Sequence, residues 1–297
     1  MKSNNDTTTW TDSLVYPPFL SGAITIYMVI FFLTVKPLHI SLFHTTLQTN
    51  TLFPQSKDSH LSNSQIFIMS TPGPLFIIGT GPMIGSHIPR LFATHNFTHI
   101  ALFARSQTTL TASSEFITTA APSVSIHTYT ADVMDTLGLT SALQKAEKEV
   151  GSPEVVVYNA ARVSYGNFGE YKEEDILEDF KIPNLGLYTT AKVLLPGLQA
   201  LAKEKPDSHP SLFVTSSPII YQPFAPVFSL SMAKAAQANL VKSLIEQTKD
   251  EVHVALVMVG GPVSEQEPVN NPNHIATKFW ELWEQKKGDR VVELLVQ

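Results

Sequence analysis

Lys234 lies in "FSLSMAKAAQANL" (Phe228 to Leu240), a stretch that reads as the start of a helix, one turn beyond Leu230. Residues four apart share a helix face, so a lysine there can tune the acidity of a partner at the earlier position. Leucine has no proton to give, and a pair built to move protons would lack one half. Other groups with proton chemistry lie nearby in the chain. Ser216 and Ser217 end the run "SLFVTSS", Tyr221 follows in "PIIYQPF", Tyr165 lies in "RVSYGNF", and Ser231 adjoins Leu230. The two tyrosines read as loop residues, and Ser231 points about 100° round the helix from Leu230.

A second set of residues is suited to phosphate. After Leu75 to Ile78 comes "GTGPMIGSHIPRLFA", in which Gly79, Gly81 and Gly85 leave a strand and open a helix at Ile84. Glycine allows a tight turn and close backbone approach to a diphosphate, and the helix N-terminus offers free N–H groups. A plain strand–helix turn would use the same residues, so position in the chain must decide. Arg105 closes the next apolar run, where sites for the unphosphorylated dinucleotide carry an acid. An arginine there suits a 2′-phosphate, so NADP is expected over NAD; the bland alternative is a solvated strand-end arginine.

These residues sit in a regular alternation. Short apolar runs read as buried strands at Leu75–Gly79, His99–Ala104, Val124–Tyr129, Glu154–Tyr158, Ser211–Ser216 and Val252–Val259. Helical segments fall between them, among them Ile84–His95, Thr136–Val150, Glu173–Lys203 and Pro226–Lys249. Apolar strands without polar alternation imply burial on both faces, and strand–helix alternation implies right-handed crossovers. The expected fold over residues 71–297 is a doubly wound parallel α/β sheet, a Rossmann-type three-layer sandwich.

Residues 1–70 differ from the rest, being rich in Thr, Ser and Asn with one apolar run, Phe19 to Val35. As a helix this run spans roughly 25 Å, slightly short of a bilayer core near 30 Å. Three readings compete: a single-pass membrane anchor at 19–35, an extension upstream of a natural start at Met69, and a cleaved targeting segment. Lys36 after the run and Asp6 and Asp12 before it place the main domain in the cytoplasm if the run is an anchor.

Composition narrows the partners. The net charge of −6 argues against non-specific nucleic-acid binding. The absence of cysteine excludes disulfides and thiolate chemistry and is compatible with a reducing compartment. His87, His95 and His99 lack metal-ligand spacing with carboxylates, so no metal site is expected. The acidic run Glu170–Phe180 reads as a solvated helix start. Ile275–Asp289 reads as an amphipathic helix whose Phe279, Trp280, Leu282 and Trp283 pack into the core, cap a cleft or form a dimer contact.

With "ADV" (Ala131 to Val133), "YNAA" (Tyr158 to Ala161), "TSSP" and "GGPV" (Gly260 to Val263) following the third to sixth strands in order, the chain from about Pro74 resembles the short-chain dehydrogenase/reductase family. The resemblance implies that Gly79 and Gly85 belong to the cofactor turn, whose middle glycine is Met83 here. It implies that Asp132 and Val133 frame the adenine, that Asn159 and Ala160 stabilise the sheet and line the ribose side, and that Pro262 and Val263 meet the nicotinamide amide. It makes Ser217 the group that holds the substrate oxygen, with Ser216 as alternate, and Lys234 the lysine that binds the nicotinamide ribose. The family's proton-donating tyrosine falls at Leu230, and its supporting asparagine at Pro183.

Two functions follow from the resemblance. One is an NADP-dependent oxidoreductase acting on a small-molecule carbonyl or alcohol, with a proton relay that does not run through residue 230. The other is a catalytically silent dinucleotide-binding sensor or scaffold. A homo-oligomer is compatible with either.

Overall fold

The computed structural model describes residues 71–297; the expected anchor at 19–35 lies outside them. Strand β1 (Leu75–Ile78) is followed by α1 (Ile84–Thr94), β2 (His99–Ala104), α2 (Gln107–Ala120), β3 (Ser125–Thr130), α3 (Thr136–Val150) and β4 (Val155–Tyr158). Helix α4 (Glu173–Phe180) runs through a π-helical turn, Lys181–Leu185, into α5 (Gly186–Glu204). Then come β5 (Ser211–Ser216), α6 (Phe228–Thr248), β6 (His253–Met258), α7 (Pro272–Trp283) and β7 (Glu293–Leu295).

The strands form one sheet of order β3-β2-β1-β4-β5-β6-β7, and every pairing is parallel. The expected doubly wound architecture is therefore present. Successive side chains of a strand face opposite sides, and β1 shows how both sides are filled. Phe76 and Ile78 face α3, α5 and α6 through Leu139, Leu143, Leu194, Leu198 and Val241. Leu75 and Ile77 face α1, α2 and α7 through Ile88, Phe92, Leu110, Ile117 and Phe279. Burial on both faces explains the unbroken apolar runs of β1 and β4. The edge strands β3 and β7 are the exceptions, with most of their residues partly or fully exposed.

Several boundaries differ from expectation. The expected helix Glu173–Lys203 is interrupted by the π-helical turn. Tyr158 helps form it: its hydroxyl donates to the Ile182 carbonyl. A side chain at Gly186 would overlap that hydroxyl and lie 2.9 Å from Val133 Cβ, so glycine is needed for the close approach. Helix α7 ends at Trp283, short of Asp289, and the chain continues into β7, a strand not expected from sequence. Of the three readings for the α7 aromatics, core packing holds. Phe279 and Leu282 are fully buried, and Trp280 and Trp283 pack edge-on against Phe92 and Phe97 with centroids 5.1 and 5.0 Å apart.

Candidate active site

In an open parallel sheet, ligands bind beyond the carboxyl ends of the strands where the chain order reverses. Here that point lies between β1 and β4. A cleft of about 710 Å³ opens there, walled by the β1–α1 turn, the loops after β4, β5 and β6, and the start of α6.

The glycine turn has two distinct parts. Gly79 has φ +92°, and an added Cβ would lie 2.6 Å from Ala160 Cα. Its glycine is therefore required by backbone packing between the ends of β1 and β4. Gly85 is also confined, though less tightly: a Cβ there would sit 2.7 Å from the Gly79 carbonyl and 3.2 Å from Asn159 Nδ2. Gly81 lines the cleft, and a Cβ there would meet nothing within 4 Å. Its carbonyl is pinned by Ser86 Oγ at 2.6 Å, itself 2.8 Å from Ser113 Oγ. Helix α1 carries no acid in its first turn, so its positive end is open to an anion. The open cradle at Gly81, together with Ser216 Oγ, which lines the cleft, is buried and has no hydrogen-bond partner, fits a bound dinucleotide.

Asn159 ties the strand ends together. Its N–H donates to Ile78 O at 2.8 Å, its Nδ2 to Gly79 O at 3.0 Å, and its Oδ1 accepts from Thr215 Oγ1 at 2.8 Å. Tips of β1, β4 and β5 are thereby locked in register at the cleft floor. Ala160 packs directly behind Gly79. Ile84, Pro262 and Val263 line the cleft. Asp132 accepts from the Met134 N–H at 2.9 Å, and Val133 packs into the core, so neither lies on the cleft wall. Arg105 is exposed at the end of β2, two residues from Phe103, whose carbonyl accepts from Gly79 and Thr80 N–H at 3.0 and 2.9 Å.

Lys234 is the buried cation of the site, with 5% of its surface exposed. It lines the cleft, and its Nζ donates to Thr215 O at 2.7 Å and Gln237 Oε1 at 2.8 Å. Burial pulls its pKa down to about 7, because a charged amine is disfavoured away from water. Gln237 in turn donates from Nε2 to the carbonyl of Pro183 at 2.9 Å, within the π-helical turn. Asn184 beside it donates to Ala233 O at 3.1 Å and Phe180 O at 3.0 Å, holding α6 against the turn. Leu230 also lines the cleft, 8% exposed, so hydrocarbon occupies the wall one turn from the lysine.

The other proton-bearing candidates separate clearly. Ser217 is half-buried and lines the cleft. Tyr165 lines its outer part, 73% exposed. Tyr221 is not on the wall of this cleft: its hydroxyl donates to Glu293 at 2.5 Å, which raises the phenol's pKa. Ser231 is taken up by Phe224, accepting from its N–H at 3.3 Å.

Sequence reasoning missed Gln237 and Thr215. Gln237 lies three residues after Lys234, a spacing that places both on one helix face, but its second partner, the Pro183 carbonyl, is 54 residues away in the chain. It also missed Arg162, which clamps the loop after β4 onto α4 through Asp175, Glu178 and the buried Asp179.

No curated protein matches the chain significantly. Solved structures share the fold. An alcohol dehydrogenase from the archaeon Thermococcus sibiricus, complexed with 5-hydroxy-NADP, superposes with a TM-score of 0.67 at 22% identity, over 75% of this chain and 95% of that one. An NADPH-bound short chain oxidoreductase from Pseudomonas aeruginosa, described as containing an atypical catalytic center, gives 0.67 at 19% identity over 75% and 95%. A short-chain dehydrogenase from Rhodopseudomonas palustris gives 0.62 at 18% over 76% and 98%. The sequence profile of the short chain dehydrogenases matches residues 75–271, a span that holds the glycine turn, the Asn159 clamp, Ser217 and Lys234. On that match the chain belongs to the short-chain dehydrogenase family.

Proposed function

We propose that this protein is an NADP(H)-dependent oxidoreductase acting on a carbonyl or alcohol compound with a sizeable apolar body. The observation that carries this reading is a buried lysine on the wall of the same cleft as an open glycine cradle. Gly81 and the N-terminus of α1 would hold the diphosphate, and Arg105 the 2′-phosphate. Asp132 and Val133 belong to the adenine side, Asn159 and Ala160 to the ribose, and Pro262 and Val263 to the nicotinamide amide, as in the family. When bound, the cofactor supplies or accepts the hydride. Ser217 orients the substrate oxygen with its hydroxyl, and Lys234 places a positive charge beside the region where negative charge develops. Val163, Ile219, Phe224, Val227 and Leu230 make the remaining wall apolar, which favours a hydrophobic substrate body and excludes water. Two structural neighbours, bound to 5-hydroxy-NADP and NADPH, support the choice of cofactor.

A silent dinucleotide-binding protein is the second reading, favoured by Leu230. The two are separated by following NADPH consumption with ketones and aldehydes of increasing apolar size. The enzyme reading requires turnover that falls in Lys234→Ala. Equal background rates in both proteins, with NADPH still bound, would leave the silent reading.

A further inference from the structure

The geometry points to Lys234 as the proton donor of this site, with Gln237 and the Thr215 carbonyl as the groups that hold it in place. This rests on the oxidoreductase reading above.

Among the described residues that line the cleft, the ionisable side chains are Lys234 and Tyr165, with no carboxylate, histidine or arginine. Tyr165 stands at the exposed outer part, while Tyr221 and Ser231 are engaged elsewhere. Lys234 lies in the wall beside Leu230. An ammonium has three N–H donors. Two are accounted for by Thr215 O and Gln237 Oε1, at 2.7 and 2.8 Å, which leaves the third for the cleft.

Gln237 fits this role better than a charged residue would. Its Nε2 donates to the Pro183 carbonyl, so its Oε1 is the atom turned toward the lysine. A neutral acceptor positions the ammonium without trapping its proton in a buried ion pair. The surrounding elements add no such trap. On β4, Tyr158 donates to Ile182 O, and its burial, followed by the charge of Asp132, keeps it neutral. On α4, Asp179 is taken by Arg162 and Ser164. Lys181 in the π-helical turn is exposed, as is Lys242 on α6. Burial alone accounts for the lysine's lowered pKa, near the working range of a general acid.

The step balances simply. As hydride from a nicotinamide donor adds to the carbonyl carbon, the C=O π bond opens onto oxygen. The Lys234 N–H bond breaks and an O–H bond forms. The carbonyl is reduced to an alcohol, the nicotinamide donor is oxidised, and the neutral amine regains its proton from solvent.

The test reads the lysine directly. In protein carrying ¹³C at the lysine ε-carbon, one resonance should titrate near pH 7 and vanish in Lys234→Arg. Gln237→Glu should move that midpoint up by about a unit or more, and Gln237→Leu should move it down. The reductive rate should fall about tenfold per pH unit above the midpoint, and this limb should follow the same shifts. Lys234→Arg should lose roughly 10²- to 10⁴-fold in rate. An unshifted limb in both Gln237 variants with NADPH binding retained, or a limb abolished by Tyr165→Phe, overturns this inference alone. Failure of the native protein to bind NADPH overturns the oxidoreductase reading and this inference with it.

Discussion

Two glycines of one turn should respond oppositely to the same added methyl. At Gly79 the backbone has φ +92°, and Cβ would lie 2.6 Å from Ala160 Cα and 2.9 Å from Ala160 Cβ. The unfavourable conformation costs about 1–2 kcal/mol and the overlap about 1–3 more, so Gly79→Ala should lose about 2–5 kcal/mol. For a domain of this size each kcal/mol lowers Tm by about 2–4 °C, which gives a drop of roughly 4–20 °C. At Gly81 a Cβ would meet nothing within 4 Å, and φ lies outside the left-handed region. Gly81→Ala should change stability by no more than about 0.5 kcal/mol. Its effect should appear in binding, because the methyl occupies space assigned to the diphosphate. An overlap of about 1–3 kcal/mol weakens NADPH by roughly 5- to 150-fold. Thermal unfolding and a fluorescence titration with NADPH measure the two effects. Equal Tm losses in the two variants, or a native Tm in Gly79→Ala, would refute the division of labour within the turn.

Other expectations concern the frame around the site. His253 is buried, its pKa lowered to about 4, mainly by desolvation, while its ring nitrogen stays within 2.9 Å of Val291 O. Its folded pKa is below the unfolded value of about 6.5, so the unfolded chain binds the extra proton between those values. Its contribution is complete above pH 6.5 and is lost as pH falls toward 4; denaturant unfolding at pH 7 and 4.5 should show His253→Gln losing about 2–3 kcal/mol less than the native protein. Gly186→Ala should destabilise by about 1–3 kcal/mol through its clash with the Tyr158 hydroxyl, and Tyr158→Phe in the same chain should recover part of it; strictly additive losses would count against that clash. Tyr221→Phe should leave turnover unchanged, because the hydroxyl is bonded to Glu293 and is not on the cleft wall; a large loss would return Tyr221 to the list of acids.

The parts of this fold that were readable in the chain are those written in local pattern. Val155 to Tyr158 is apolar throughout because both faces of β4 are covered, and the turn after β1 shows its glycines openly. Helix α2 is poorly marked, since Thr and Ser make up half of "QTTLTASSEFITTA", and it is held by Leu110 and Ile117 packing on the sheet. The π-helical turn has no local signature; it depends on Tyr158 and Gly186, which lie far apart in sequence. The same limit applies at the site. Ser217, Leu230 and Lys234, which all line the cleft, could be placed by motif. That Gln237 links Lys234 to Pro183 required the third dimension, as did the division by which Gly79 serves the packing of the β1 and β4 ends while Gly81 faces the cleft.

Calorimetric titration of the folded chain with each reduced and oxidised nicotinamide dinucleotide bears most directly on the whole account. Saturable heat is expected at one site per chain, strongest with the 2′-phosphorylated forms. It should disappear in Gly81→Asp, which places a carboxylate in the cradle and leaves the melting curve near native. No heat from the native protein with any of the four dinucleotides would contradict the account at its root.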